Sequence, residues 1–266
     1  MPFINKLVRW GSNMLRFYFV IIVSVPYIML LYVKSAYMDM HDEMYTEEER
    51  YKFAKLIVEK IRSHSFIATE VYGKENLPKE GGYVMYSNHQ GKYDMVGIMY
   101  GHDKPCTVVM DEVRSQIPIM KPFLAVVKGS TLDRTDLKSQ AKTIKKLVEE
   151  VNAGRRYVIF PEGGYDHNGN NLQEFKSGSF KISVRTKTPI VPVALVDSYV
   201  PYSYNSLRRV VTQVHYLEPI KYEDYKNMKT EEIALMVHNR IEEKVKEQLR
   251  IKKRRAFFDK RIKQAA

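Results

Sequence analysis

The sequence predicts an α/β fold: a mostly parallel or mixed central sheet flanked by helices, preceded by an N-terminal membrane-associated helical motif. Three observations carry that expectation. Short apolar runs, mostly β-branched, recur along the chain with amphipathic helical patterns between them, the order in which parallel strands and crossover helices alternate. An uncharged stretch of seventeen residues, Phe17 to Val33, comes first, at the short edge of what crosses a hydrocarbon core of about 30 Å. A composition of 44% hydrophobic and 28% charged residues over 266 positions is that of a globular chain and excludes disorder as the main state. A mean hydropathy of -0.38 argues against a polytopic membrane protein.

Taken in order, the first segment, 1–44, reads as membrane-associated. No small-residue cleavage pattern follows the apolar stretch, so it is expected to stay in the mature protein. Pro26 interrupts it, and either a kinked span or a two-armed hairpin in one leaflet fits. Lys6, Arg9, Arg16 and Lys34 on both flanks favour the hairpin. Next, Thr46 with Glu49 three residues later spells a capping box opening a helix through YKFAKLIVEKIRSH. Strands are expected at Tyr83 to Ser87, Cys106 to Met110, Tyr157 to Phe160, Ile190 to Val196 and Val210 to Leu217. Thr135 is expected to cap the helix DLKSQAKTIKKLVEEVN, which Gly154 ends in left-handed geometry. A long helix from near Thr230 closes a domain spanning 45–243. The remaining 244–266 form a basic helical tail with ten cations against Glu247 and Asp259. Leu249, Ile251, Phe257 and Phe258, interleaved with those cations, suit an anionic membrane surface as well as a solvated helix end.

Lys and Arg total 43 against 31 Asp and Glu, a formal charge of +12. Anionic partners therefore fit best: phospholipid headgroups, nucleic acid or an acidic carrier protein. No helix-turn-helix, RNA-recognition or zinc-finger pattern accompanies the charge, so nucleic acid is not expected. The one cysteine, Cys106, cannot close an internal disulfide and fits a reducing compartment. His41, His64, His102, His167, His215 and His238 show no metal-ligand spacing, and no metal or cofactor is expected.

The segment YSNHQGKYDMVGI carries the chemistry. His89 and Asp94 follow the first clear strand, where the chain turns through a loop into a helix. A neutral imidazole takes a proton from a hydroxyl, and a carboxylate five residues on can fold back to fix its tautomer. The chain offers no nucleophile of its own, because G-x-S-x-G is absent and Cys106 lies in an apolar strand. Alone, such a pair is more often a structural histidine than a general base for a substrate hydroxyl.

Further segments weigh on that choice. Asn88-His89-Gln90-Gly91-Lys92-Tyr93-Asp94, Gly129-Ser130-Thr131-Leu132-Asp133-Arg134, Phe160-Pro161-Glu162-Gly163, Phe175-Lys176-Ser177-Gly178 and Val191-Pro192-Val193 stand in one order and spacing across residues 83 to 196. In these the chain resembles the glycerolipid acyltransferase superfamily of the 1-acylglycerol-3-phosphate acyltransferase type. The resemblance implies transfer of a fatty acyl group from acyl-CoA or acyl carrier protein to the free hydroxyl of 1-acylglycerol-3-phosphate, giving phosphatidic acid. By the same resemblance His89 and Asp94 are catalytic and Arg134, Glu162, Gly163 and Lys176 bind substrate. Arg134 would grip the acceptor's phosphate; Glu162 would bind a hydroxyl or pair with Arg134; N–H groups around Gly163 and Gly164 would meet the oxyanion. The expected setting is a membrane surface with the site on the cytoplasmic side. Two departures from the pattern bear on the acceptor. Gly164 and Tyr165 stand where the family has Thr and Arg, and Met110 stands where K-x-E-L begins, leaving Lys104, Lys128 or, best placed, Lys176 to compensate. Another lysophospholipid or hydroxylated lipid as acceptor, or a noncatalytic binder of anionic membranes, are the alternative readings.

Overall fold

In the computed structural model, which describes residues 15–265 and side chains as far as Phe257, the apolar segment is one helix, α1 (Leu15–Met40). Lys6 and Arg9 lie outside the described residues. The expected hairpin at Pro26 does not form. Buried positions recur at Val20, Ser24, Leu31, Ser35 and Met38, so both halves of α1 seat one stripe on the domain, and the hydrogen bond that proline removes does not part them. Its outer face leaves Ile22, Val25, Met29, Val33 and Met40 exposed. Both ends are fastened. Arg16, one of the flanking charges, is 1% exposed, donating to the carbonyls of Pro201 (3.2 Å) and Arg208. At the other end Arg50 donates to Met38 O.

Arg50 belongs to α2 (Glu47–His64), which the Thr46 and Glu49 capping box opens as expected. Seven strands follow: β1 (Ile67–Tyr72), β2 (Tyr83–Ser87), β3 (Thr107–Asp111), β4 (Ser130–Leu132), β5 (Arg156–Ile159), β6 (Ile190–Val196) and β7 (Val210–Tyr216). They form one mixed sheet in the order β1-β7-β6-β2-β5-β3-β4, parallel throughout except where β6 meets β7. β2 to β6 therefore run one way and β1 with β7 the other. The short β4 and the half-exposed β1 were not among the expected strands.

Alternation along the strands builds two cores. Tyr83 and Met85 of β2, with Val191, Val193 and Leu195 of β6, face the layer of α1, α2 and α3 (Asp94–Gly101), through Leu31, Ile57 and Ile98. Val84, Tyr86, Ala194 and Val196 face the other way, onto α6 (Leu137–Asn152), α7 (Lys181–Thr186) and α9 (Thr230–Ala265), through Leu147, Ile182 and Val237. Between these lie the short α4 (Glu112–Ser115), α5 (Met120–Val126) and α8 (Tyr222–Tyr225).

α6 is capped by Asp136, whose carboxylate accepts from Lys138 N, and not by the expected Thr135. The Thr135 hydroxyl is engaged by Asp133, which leaves the next side chain to accept the helix amide. Gly154 (φ +99°) closes it, its N–H on Val151 O and the Arg155 N–H on Glu150 O. α9 runs without a break through residue 243. Leu249 packs against the second core rather than pointing outward, while Arg250 and residues 252–257 are exposed.

Candidate active site

Because β2 to β6 run in one direction, the segments leaving their carboxyl ends gather along one edge of the sheet. They bring His89 and Asp94 from β2, Arg114 from β3, Arg134 from β4, the stretch from Phe160 to Tyr165 from β5, and Asp197 with Ser198 from β6.

His89 is held on both sides. The Asn88 amide takes the place of a strand partner for β6, donating to Leu195 O (3.0 Å) and accepting from Leu195 N (2.8 Å). Gln90 donates to Leu195 O and accepts from Ser198 N. The imidazole between them stacks on Phe160 with centroids 4.3 Å apart and meets the edge of Tyr165 at 4.8 Å. Its Nδ1 lies 2.7 Å from Asp94 Oδ2, an oxygen that also accepts from Gln90 N (2.6 Å) and Gly91 N (2.9 Å). Asp94, the first residue of α3, is fully buried, so its negative charge rests on these donors and on the helix N-terminus. Nδ1–H donation to Asp94 leaves the lone pair on Nε2. No protein partner occupies Nε2 among the described residues, and the side chain stays 17% exposed. A structural histidine would have both nitrogens satisfied.

Glu162 corrects one expectation. Its side chain points inward: Oε1 accepts from the backbone N–H of His89 (3.1 Å) and Oε2 from Gln173 (3.1 Å), and it forms no ion pair with Arg134. Burial pushes its carboxyl up to about 7, against the hydrogen bonds from His89 and Gln173, with Asp94 adding to the rise. Arg134 is itself occupied, with Nε 3.3 Å from Asp111 Oδ2 and Nη1 donating to Gly163 O.

Gly163 has φ +79°, and a Cβ there would stand 2.8 Å from Lys176 Nζ and 3.1 Å from Arg134 Nη1. Glycine thus provides both the left-handed turn and the room for two cations. Its N–H is already given to Phe160 O, so Gly163 cannot supply the oxyanion donor expected of it. The Gly164 N–H has no acceptor among the described residues. Of the lysines weighed from sequence, Lys104 and Lys128 precede β3 and β4 and so lie at the amino edge of the sheet, Lys128 in an ion pair with Asp42. Lys176 alone reaches the site. It also borders a cleft of about 900 Å³ with Glu162, Glu174 and Glu231.

One residue escaped sequence reasoning. Arg114 lies over the ring of Tyr165, 5.3 Å from its centroid, and the same ring contacts His89. Position 165 lies in a different loop, so no spacing along the chain announces the pair.

Comparison with known proteins bears on the same residues. The pattern of the Acyltransferase family matches residues 68–196. The 1-acyl-sn-glycerol-3-phosphate acyltransferase of Saccharomyces cerevisiae is 31% identical over 184 residues, 67% of this chain and 60% of that protein. The alpha form from Ovis aries is 30% identical over 188 residues, 67% of this chain and 63% of its own length. The Borreliella burgdorferi protein of the same name is 30% identical over 128 residues, covering 48% and 51%. The chain thus spans from half to under two thirds of these curated relatives. In fold, the crystal structure of the 1-acyl-sn-glycerophosphate (LPA) acyltransferase from Thermotoga maritima superposes with a TM-score of 0.68 at 20% identity, covering 93% of this chain and 98% of that one.

Proposed function

With residues 68–196 matching the Acyltransferase family, we propose that this chain moves a fatty acyl group from a thioester, acyl-CoA or acyl carrier protein, to the hydroxyl of 1-acylglycerol 3-phosphate, giving phosphatidic acid. The observation that carries the reading is the His89 to Asp94 contact of 2.7 Å with Nε2 left open. Nε2 accepts the acceptor's hydroxyl proton as its oxygen attacks the thioester carbonyl. Asp94 holds the ring and stabilises the imidazolium that forms. The tetrahedral intermediate collapses with loss of thiolate, and the imidazolium returns its proton to that sulfur, so no acyl-enzyme forms. Gly164 N–H is the candidate oxyanion donor. Arg134 and Lys176, on either side of Gly163, are the cations of the acceptor rim expected by resemblance. Glu162 acts in this scheme by holding the His89 backbone rather than by touching substrate.

The same proposal extends to where the enzyme works. A helix of 26 residues, about 39 Å long, fastened to the domain at both ends and apolar on its outer face, fits a position in the membrane surface with the domain on the cytoplasmic side. The exposed cations of α9 suit contact with anionic lipid. Purified protein on vesicles, a labelled acyl thioester and a panel of glycerol-based acceptors provide the test. Labelled phosphatidic acid formed from 1-acylglycerol 3-phosphate is the expected product. Vesicle binding without transfer to any acceptor would instead mark a noncatalytic membrane binder.

A further inference from the structure

We propose that Arg114, seated on the ring of Tyr165 with Lys92 on the same rim, binds the phosphate of the acceptor on the side of the site that faces α1. The inference rests on the acyl-transfer reading above and names the substrate contact within it.

Each cation round His89 has a different engagement. Arg134 is paired with Asp111 and spends Nη1 on Gly163 O, so its charge is balanced and its fork is bracing the loop. Lys176 opens onto a cleft lined by Glu162, Glu174 and Glu231, surroundings that repel an anion. Arg114 makes no ion pair with a carboxylate among the described residues. Its guanidinium rests on an aromatic face, which restricts the side chain while leaving the N–H edge of the fork available for two oxygens. Gly164 keeps the approach open, since even a Cβ there would stand 3.9 Å from Arg114 Nη2.

A second positive charge adds to this. Lys92 belongs to the loop between His89 and Asp94, and its ammonium lies 5.4 Å from the ring centroid of Phe17 on α1. Desolvation lowers its proton affinity, and the nearby charge of Arg114 lowers it further. Two cations held near each other beside apolar rings repel, and an anion between them relieves that repulsion. The guanidinium and the imidazole both contact the Tyr165 ring, 5.3 Å and 4.8 Å from its centroid. In 1-acylglycerol 3-phosphate four bonds separate the free hydroxyl oxygen from phosphorus. A phosphate on Arg114 would therefore leave that hydroxyl near Nε2 while the acyl chain runs along the apolar α1.

The test uses the full-length protein on neutral phosphatidylcholine vesicles. Arg114→Gln should raise KM for 1-acylglycerol 3-phosphate about 10- to 100-fold, the loss of one charge-assisted contact, with kcat at saturation near wild type. Turnover of phosphate-free monoacylglycerol should not fall. Arg134→Gln, assayed beside it, should move KM less. A KM within about twofold of wild type for Arg114→Gln, or a rise confined to Arg134→Gln, would overturn the assignment. A second readout needs no catalysis: binding of 1-acyl-2-deoxyglycerol 3-phosphate, which lacks the reacting hydroxyl, should weaken in Arg114→Gln to the same extent. Wild-type binding of this analogue without any acyl transfer would reject the enzymatic reading and leave the phosphate site standing. Transfer by wild type with equal analogue binding by wild type and Arg114→Gln would reject the phosphate site alone.

Discussion

His89 and His102 stand at opposite edges of one sheet, and their surroundings differ in a way that assigns them opposite tasks. His102, 1% exposed, has both nitrogens engaged, Nε2 with Tyr83 Oη at 2.7 Å and Nδ1 with Lys104 O at 2.7 Å. His89 has one nitrogen engaged, by a carboxylate, and the other open. An imidazole with both nitrogens satisfied contributes to packing; one with a fixed tautomer and an open lone pair can take a proton. Strand direction sets which edge receives which ring, because loops leaving β2 to β6 gather donors, cations and glycines at the carboxyl edge, whereas His102 is packed among Tyr83, Tyr216 and Tyr51 at the amino edge.

The contrast can be broken by exchanging the demands on the two rings. His89→Ala should cut kcat about 10²- to 10⁴-fold with folding and vesicle binding retained, measured with labelled thioester. Asp94→Asn should cost about 10²-fold or more, since its amide can donate to Nδ1 and force the proton onto Nε2. Equal turnover in either variant would reduce His89 to a structural residue.

His102→Ala should act on stability instead, losing about 2–4 kcal/mol in urea unfolding from the cavity and the orphaned Tyr83 hydroxyl, with acyl transfer by the folded fraction retained. A pH dependence belongs to the same ring. Burial lowers His102 to about 4 from an unfolded value of 6.5, so the unfolded chain binds the extra proton between those values. Stability from this group is complete above pH 6.5 and is lost as pH falls toward 4, by about 3 kcal/mol at most. His102→Ala should flatten that part of the stability curve; an unchanged slope would assign it elsewhere.

Glu162 gives a pH dependence of similar size and the opposite sign. Its folded value, raised to about 7 against 4.5, means the folded chain holds the proton between these limits. Its contribution is fully present below pH 4.5 and lost as pH rises through 7, by about 3 kcal/mol at most. Glu162→Gln keeps an oxygen for the His89 N–H and should therefore gain stability over wild type at pH 8 but not at pH 5, read from paired urea titrations.

Much of the carboxyl edge was legible because local signals suffice for it. β-branched runs located β2, β3, β5, β6 and β7 to within one residue at each end, and the four residues between His89 and Asp94 are enough for a loop to fold back onto a helix start. What escaped depended on tertiary neighbours. β4 is three residues long, too short for any periodicity, and β1 follows α2 so closely that its alternation is lost. Thr135 looked like a cap until Asp133 took its hydroxyl. The hairpin expected at Pro26 yields to one uninterrupted helix because Ser24 and Leu31, on either side, are both packed on the domain. Glu162 was expected to face substrate or Arg134, and only the fold shows that the His89 backbone and Gln173 claim it first. Arg114 and Tyr165 meet across two loops, a relation no linear pattern contains.

The most direct test of the account is the protonation pattern of His89, read by nitrogen NMR of protein labelled at histidine, at a pH where the ring is neutral. The account predicts a proton on Nδ1 and a bare Nε2, and loss of that pattern in Asp94→Asn. A neutral His89 carrying its proton on Nε2 in the wild-type protein would contradict it, because that nitrogen could then accept nothing from an alcohol.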